Sequence, residues 1–256
     1  HQGRLQNSSK SRFHSISEPG TTHQWPSSMG SDENPLPRVL VFASGTKDGG
    51  GSGFEKLVEN ARAGKLRAEI VGVVSNHSDG GVKQRADRLG VPFKHFPLPR
   101  NGETYAALLR EFRAEWVALS GWLKLVCVRN DEKGTPGVDP ARTINIHPGL
   151  LPRFGGAGMY GHHVHQAVYE AYQKAEVTEA GCTMHFVTEK YDDGPTIFRT
   201  TVPLTPDDTP DTIAAKVNAL EHEYQSYVTD LVVNGEISWD GKSRDSLRVP
   251  PGYKFL

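Results

Sequence analysis

The chain has 256 residues, a mass of 28.1 kDa and nearly balanced charge, with 29 Lys and Arg against 30 Asp and Glu. This length predicts one large domain or two small ones. The net charge of −1 argues against a general electrostatic surface for nucleic acid or an anionic membrane, and no apolar run approaches the roughly 20 residues that cross a bilayer. Two cysteines without a CxxC pair argue against a disulfide scaffold and a cysteine zinc site, so we expect a cytoplasmic protein.

Residues 1–36 differ in composition from the rest of the chain. Eight of the 36 are Ser, and the apolar residues are isolated and follow no helical or strand period. We expect a disordered leader or tag here, with a single domain over residues 37–256. An organelle transit peptide is the alternative, because Arg4, Lys10 and Arg12 precede the first acidic residue, Glu18.

From Arg38 onward, short β-branched runs alternate with longer helical patterns. This alternation predicts an α/β fold with parallel strands joined by crossover helices. Strands are predicted at residues 39–43, 70–75, 116–120 and 143–146, and helices at 53–63, 81–89, 103–112 and 160–175.

The carboxyl-terminal part is predicted to add an antiparallel hairpin and a final helix. The strand-like runs 182–188 and 196–202 flank the turn residues Asp192, Asp193 and Gly194, which makes the predicted sheet mixed. The helix is predicted to begin near Thr209 and to end before Asn234. Its apolar stripe comprises Val217, Leu220, Tyr224, Tyr227, Val228 and Leu231.

A glycine-rich loop follows the first predicted strand and precedes a helix. Its residues 43–53 read ASGTKDGGGSG, which would present free backbone amides to an anion such as phosphate. The loop is not a Walker A motif, which would need Lys at Gly51. A flexible surface loop is the alternative, but the position at the end of the first strand favours phosphate binding.

The segment NIHPGLLP, residues 145–152, follows a buried-looking strand. In an extended strand Asn145 and His147 project to the same face, and Pro148 prevents the strand from continuing. A carboxamide beside an imidazole suits stabilisation of an oxygen that becomes negative during acyl transfer. A buried structural histidine is the alternative for His147.

Two further groups of polar residues could carry chemistry. Asp192, at the hairpin turn, could accept a proton or hold an imidazolium, although Asp is also an ordinary turn residue. His162, His163 and His165 lack metal-ligand spacing, so we expect a solvated helix start and no metal site.

Taken together, these segments resemble the folate-dependent phosphoribosylglycinamide formyltransferases of the formyltransferase superfamily. The resemblance covers about residues 38–252, and its most specific part is the triple Asn145, His147 and Asp192, set in NIHPGLLP and HFVTEKYDDGP. It implies a Rossmann-like mixed sheet and transfer of formyl from 10-formyltetrahydrofolate to the amine of glycinamide ribonucleotide in purine synthesis. It also implies that no metal takes part, and the partners expected are small molecules only, with the protein a monomer or homodimer.

The resemblance implies three groups of site residues. His147 and Asn145 would stabilise the oxyanion, and Asp192 would orient His147 and help to move a proton through a water. The substrate phosphate and ribose would lie on Gly49, Gly50, Gly51, Ser52, Gly53, Asn218 and Glu221. The pterin would lie against Trp122, Leu123, Leu125, Val126, Thr188 and Tyr191, largely through backbone hydrogen bonds.

The sequence departs from the family pattern in four places. The phosphate loop is longer and richer in glycine, and Asp193 stands where the family usually has Gly. Residues 129–142 and 153–163 are longer than the usual connections, and we expect both to lie near the folate or amine end of the site.

Other activities on the same scaffold are possible. Methionyl-tRNA formyltransferase and formyltetrahydrofolate hydrolase each need an added domain, which we do not expect here. A formyltransferase for an amino-sugar nucleotide would share the catalytic triple, with the loop 154–161 as its contact surface. A noncatalytic nucleotide-binding module would not need all three polar residues.

Overall fold

The computed structural model describes residues 34–256, which form one seven-stranded mixed sheet with helices on both faces. The expectations for the leader therefore lie, apart from residues 34–36, outside the described residues. The strands are β1 Arg38–Phe42, β2 Glu69–Ser75, β3 Phe93–His95, β4 Trp116–Ser120, β5 Thr143–His147, β6 Glu179–Phe186 and β7 Thr196–Pro203.

The sheet order is β3-β2-β1-β4-β5-β6-β7. The first five strands run parallel, whereas β6 is antiparallel to β5 and β7 is antiparallel to β6. The predicted Rossmann-like mixed sheet is therefore confirmed. Because the strand order reverses beside β1, a crevice opens outside the carboxyl ends of β1 and β4, where α/β proteins bind their ligands.

Five helices accompany the strands in the described part of the chain: α1 Ser52–Arg62, α2 Gly81–Leu89, α3 Gly102–Phe112, α4 His162–Gln173 and α5 Pro210–Val233. All five were predicted, most to within one residue. The last begins as expected, because Thr209 caps it, its hydroxyl accepting the Thr212 amide, and Pro210 takes the first helical position.

The apolar runs in the strands reflect burial on both faces of the sheet. In β1, Val39 and Val41 belong to the core beneath α1, α4 and α5, whereas Leu40 and Phe42 belong to the core beneath α3. Successive side chains of a strand point to opposite faces, so a strand covered on both sides needs apolar residues throughout.

Three elements differ from the prediction. The three-residue strand β3 was missed, because it is too short to show a period. Strand β6 begins at Glu179, three residues earlier than expected. Helix α4 begins at His162 rather than at residue 160, because Gly161 has a φ of 53°, outside the helical region.

None of the helices in residues 34–256 combines the length and apolar character that a membrane crossing requires.

Candidate active site

A cavity of about 540 Å³ lies at the carboxyl edge of the parallel strands. Its wall comes from the glycine loop before α1, the segment after β4, the end of β5, the loops before α4 and after β6, and one face of α5. These segments are far apart in sequence, and the parallel order of β1, β4 and β5 brings them to one edge.

The structure brings Asn145, His147 and Asp192 together in this cavity. His147 is only 4% exposed, and its Nδ1 lies 3.6 Å from Oδ1 of Asp192. Its Nε2 lies 2.6 Å from the carbonyl oxygen of Phe154. A carbonyl oxygen only accepts, so Nε2 carries the proton and the neutral ring keeps its lone pair on Nδ1, facing Asp192.

His185, in β6, is a fourth member of this group that the sequence analysis did not single out. It lies directly opposite Asn145 in the β5–β6 register. Its Nδ1–H donates to the carbonyl oxygen of Phe186 at 2.7 Å, so in the neutral ring Nε2 accepts a hydrogen bond from Nδ2 of Asn145 at 3.0 Å. This bond fixes the direction of the Asn145 amide and leaves its second N–H for a ligand.

Asp192 has polar neighbours on two sides. The backbone amide of Gly156 donates to its Oδ2 at 2.9 Å, and its Oδ1 lies 3.5 Å from Nε2 of His185. Burial acts to raise the pKa of Asp192, but the charge that His147 can carry, the Gly156 amide and the charge that His185 can carry keep this pKa below its ordinary value. Asp192 is therefore a carboxylate at neutral pH.

The pKa of His147 is lowered, chiefly by burial, although the charge of Asp192 and the hydrogen bond to Phe154 oppose this effect. His147 is therefore neutral at neutral pH. Its Nδ1 is a base beside a carboxylate that would stabilise the protonated ring, which is an arrangement suited to accepting a proton during a reaction.

The predicted phosphate loop lines the cavity with only part of its length. Gly51, Ser52 and Gly53 lie in the wall, where α1 begins without a side-chain cap and leaves its first amides available. Gly49 and Gly50 are not in the wall. Their carbonyl oxygens accept hydrogen bonds from the Thr46 amide at 2.8 Å and from Nε of Arg85 at 2.9 Å.

Helix α5 contributes Asn218 and Glu221 to the wall, one turn apart. Nδ2 of Asn218 donates to Oε2 of Glu221 at 3.4 Å, and burial raises the pKa of Glu221 to about 7. His222, which the sequence analysis did not single out, also lines the cavity, and its Nε2 lies 3.0 Å from the Ser52 hydroxyl. A lone histidine in an amphipathic helix gives no signal in the sequence.

Most of the predicted folate residues lie in the opposite wall: Trp122, Leu123, Leu125, Val126 and Tyr191. Thr188 does not, since its hydroxyl is directed to the backbone of Lys190 and to Asp193. Two backbone amides of this wall already have partners, because Leu123 N–H donates to Oγ of Ser44 and Leu125 N–H donates to the Tyr191 hydroxyl, both at 3.0 Å.

The two enlarged connections behave differently. Residues 156–161 line the cavity, and Gly156 binds Asp192, as expected for a connection near the site. No residue of 129–142 lines it, so that expectation is wrong. This connection folds on itself through the bridge between Asn130 and Thr135, and Gly137 packs against the backbone at Cys127.

The histidine cluster corrects a second expectation. His162 and His163 are exposed, as a solvated helix start predicts, but His165 is 7% exposed and lines the cavity. It lies one turn into α4, on the face that packs against the molecule. Within residues 34–256 no cluster of three metal-ligating side chains is present.

Comparison with known proteins shows which family the chain resembles in sequence and fold. The formyl transferase family model matches residues 37–229. Over 218 residues the chain is 35% identical to the chloroplastic phosphoribosylglycinamide formyltransferase of Arabidopsis thaliana, covering 82% of this chain and 70% of that protein. It is 32% identical over 206 residues to the trifunctional purine biosynthetic protein adenosine-3 of Gallus gallus, covering 78% of this chain and 19% of that protein.

Solved structures agree. Glycinamide ribonucleotide transformylase 1 from Symbiobacterium toebii superposes with a TM-score of 0.67 at 29% identity, covering 84% of this chain and 94% of that one. Fold, motif order and sequence thus point to the same assignment, and the chain belongs to the formyl transferase family.

Proposed function

We propose that this protein transfers the formyl group of 10-formyltetrahydrofolate to the primary amine of glycinamide ribonucleotide, a step of purine biosynthesis. The family and the names of its relatives support this activity. The observation that carries the proposal is the meeting of Asn145, His147 and Asp192 in one cavity.

The reaction needs three things from the site. The amine attacks the formyl carbon, the carbonyl oxygen becomes an oxyanion, and a proton moves from the amine to the departing folate nitrogen. The unused N–H of Asn145 can donate to the oxyanion. His147 can take the amine proton on Nδ1, and the resulting imidazolium stabilises both the oxyanion and the carboxylate of Asp192.

Asp192 has two roles in this scheme. It orients His147 and stabilises the protonated ring. A water bound beside the Asp192 carboxylate can pass the proton onward to the folate nitrogen as the carbon–nitrogen bond breaks. Formyl transfer then conserves atoms, since the amine gains the formyl group and loses the proton that the folate nitrogen gains.

The two substrates are assigned to opposite ends of the cavity. The phosphate of the ribonucleotide would bind the amides at Gly51, Ser52 and Gly53, with Asn218 in support and Glu221 on the ribose hydroxyls. The pterin would occupy the apolar wall around Trp122, Leu123, Leu125, Val126 and Tyr191. Gly49, Gly50 and Thr188 are left out of the assignment, because they do not line the cavity.

The test is release of tetrahydrofolate from 10-formyltetrahydrofolate with glycinamide ribonucleotide, with amino-sugar nucleotides, with water alone and with each substrate omitted. Release that depends on glycinamide ribonucleotide, with formylated product, supports the proposal. Release that depends only on an amino-sugar nucleotide would assign a different acceptor. Binding of the ribonucleotide with no release under any condition would identify a noncatalytic module.

A further inference from the structure

The cavity wall contains a buried imidazole that the reaction scheme does not use. His165 is 7% exposed, and its Nδ1 has no hydrogen-bond partner. Buried polar atoms in folded proteins are almost always paired, and leaving one unpaired costs stability. His165 lines the cavity. A bound ligand can therefore supply the hydrogen-bond partner that its Nδ1 lacks.

The position of His165 in the fold indicates which end of the cavity it borders. It belongs to α4, which packs against α5, the helix that supplies Asn218 and Glu221 to the wall. Nδ1 of His162, at the start of α4, lies 3.8 Å from Oδ1 of Asp211 at the start of α5. His165 therefore lies on the helix that borders the proposed acceptor end of the cavity, whereas the proposed pterin wall is built from other segments.

The protonation state of His165 indicates which kind of chemical group in a ligand it can bind. Its pKa is lowered to about 4, chiefly by burial and further by the positive charges that His162 and His147 carry when they are protonated. The ring is therefore neutral at neutral pH and offers one donor and one acceptor. A neutral ring is a poor partner for a phosphate dianion and a suitable partner for an uncharged amide.

We propose that His165 hydrogen-bonds the amide that joins the ribose of the acceptor to its reacting amine, and so selects a glycinamide-type acceptor. This inference rests on the proposed function. Between a phosphate held at the α1 amides and an amine held beside His147, the amide is the polar group that remains to be bound. The residue would be a determinant of acceptor specificity rather than a proton-transfer group.

The test compares two nearly isosteric variants, His165→Leu and His165→Asn. Both remove the ring, but only Asn retains a polar group near the position of Nδ1. We expect His165→Leu to weaken binding of glycinamide ribonucleotide, measured without folate, by about 10-fold or more, and His165→Asn to recover most of this loss. The KM for 10-formyltetrahydrofolate should change less than about 2-fold, since the folate wall is not altered.

His163→Leu is the matched control, because His163 lies two residues away, is exposed and does not line the cavity. Equal ribonucleotide affinity in wild type, His165→Leu and His165→Asn would overturn the inference while leaving formyl transfer intact. So would a loss of affinity that is equal in the Leu and Asn variants, because it would reflect packing alone. Absence of ribonucleotide-dependent turnover in the wild-type protein would instead refute the proposed function, and with it this role.

Discussion

Nδ2 of Asn145 lies 3.0 Å from Nε2 of His185, across the antiparallel pair formed by β5 and β6. The same nitrogen of His185 lies 3.5 Å from Oδ1 of Asp192. One residue therefore connects the amide proposed to stabilise the oxyanion with the carboxylate proposed to stabilise the imidazolium. The proposed catalytic group is thus a connected set of four side chains rather than three independent ones.

Replacement of His147 by Ala should remove most of the activity. The variant loses both the proton acceptor and the charge that stabilises the oxyanion, and we expect kcat to fall by at least the factor that one oxyanion donor contributes, about 3–4 kcal/mol in the barrier. Binding of glycinamide ribonucleotide should persist, because its phosphate and ribose are assigned to α1 and α5. Steady-state kinetics and calorimetry check both expectations, and unchanged turnover would refute the role of His147.

Replacement of His185 by Leu should lower kcat without a comparable change in either KM. His185 positions Asn145 and Asp192 and is not expected to touch the reacting atoms, so the loss should be smaller than for His147→Ala, on the order of 10-fold. His185→Gln, which keeps an acceptor for the Asn145 amide, should recover part of the rate. Equal rates in the Leu and Gln variants would contradict the positioning role.

The pH dependence of the folding stability should reveal the titration of the half-buried Glu221. Its pKa is raised from 4.5 to about 7 in the folded protein. The folded state therefore binds the proton more tightly than the unfolded state, and Glu221 lowers stability progressively as pH rises from about 4.5 to 7. Glu221→Gln removes this pH-dependent loss of stability. The difference between the Tm of the variant and the Tm of wild type should therefore be more positive at pH 8 than at pH 5.

This comparison uses the ligand-free protein, and thermal melts at both values measure it. Glu221→Gln and wild type share every other titrating group, including His147, so the difference between their Tm values isolates Glu221. A constant difference between pH 5 and pH 8 would show that Glu221 titrates in its ordinary range.

Two glycines of the proposed phosphate loop, residues 43–53, should differ in their tolerance of Ala. A Cβ on Gly53 would lie 2.2 Å from Oγ of Ser120 and 2.9 Å from Oε1 of Gln225, whereas a Cβ on Gly49 would meet only Oγ1 of Thr46 at 3.5 Å. Gly53→Ala should therefore cost about 1–3 kcal/mol of stability and raise the KM for the ribonucleotide.

Gly49→Ala is the matched control for that substitution. Gly49 does not line the cavity and has no positive φ, so stability and KM should remain close to those of wild type. Urea denaturation and steady-state kinetics check both variants. Similar losses in the two would mean that the whole loop, and not its last three residues, binds the phosphate.

The amino-acid sequence by itself determined every α-helix, all strands but the short β3, and the placement of Asn145 and His147 on one face of a strand. Alternation in β5 places these two side chains on one face, and Pro148 ends the strand after them, which are local properties of the chain. The burial of β1 on both faces was equally evident in its unbroken apolar run. Motif order along the chain then identified the family.

Only the tertiary structure decided which other residues reach the site. The β5–β6 register brings His185 to the site. The packing of α5 beside the glycine loop brings His222 there, and the packing of α4 brings His165. The connection 129–142 was expected at the site and instead folds on itself. Each of these outcomes depends on contacts between segments distant in sequence, and hydrophobic periodicity and turn residues encode only the local geometry of each segment.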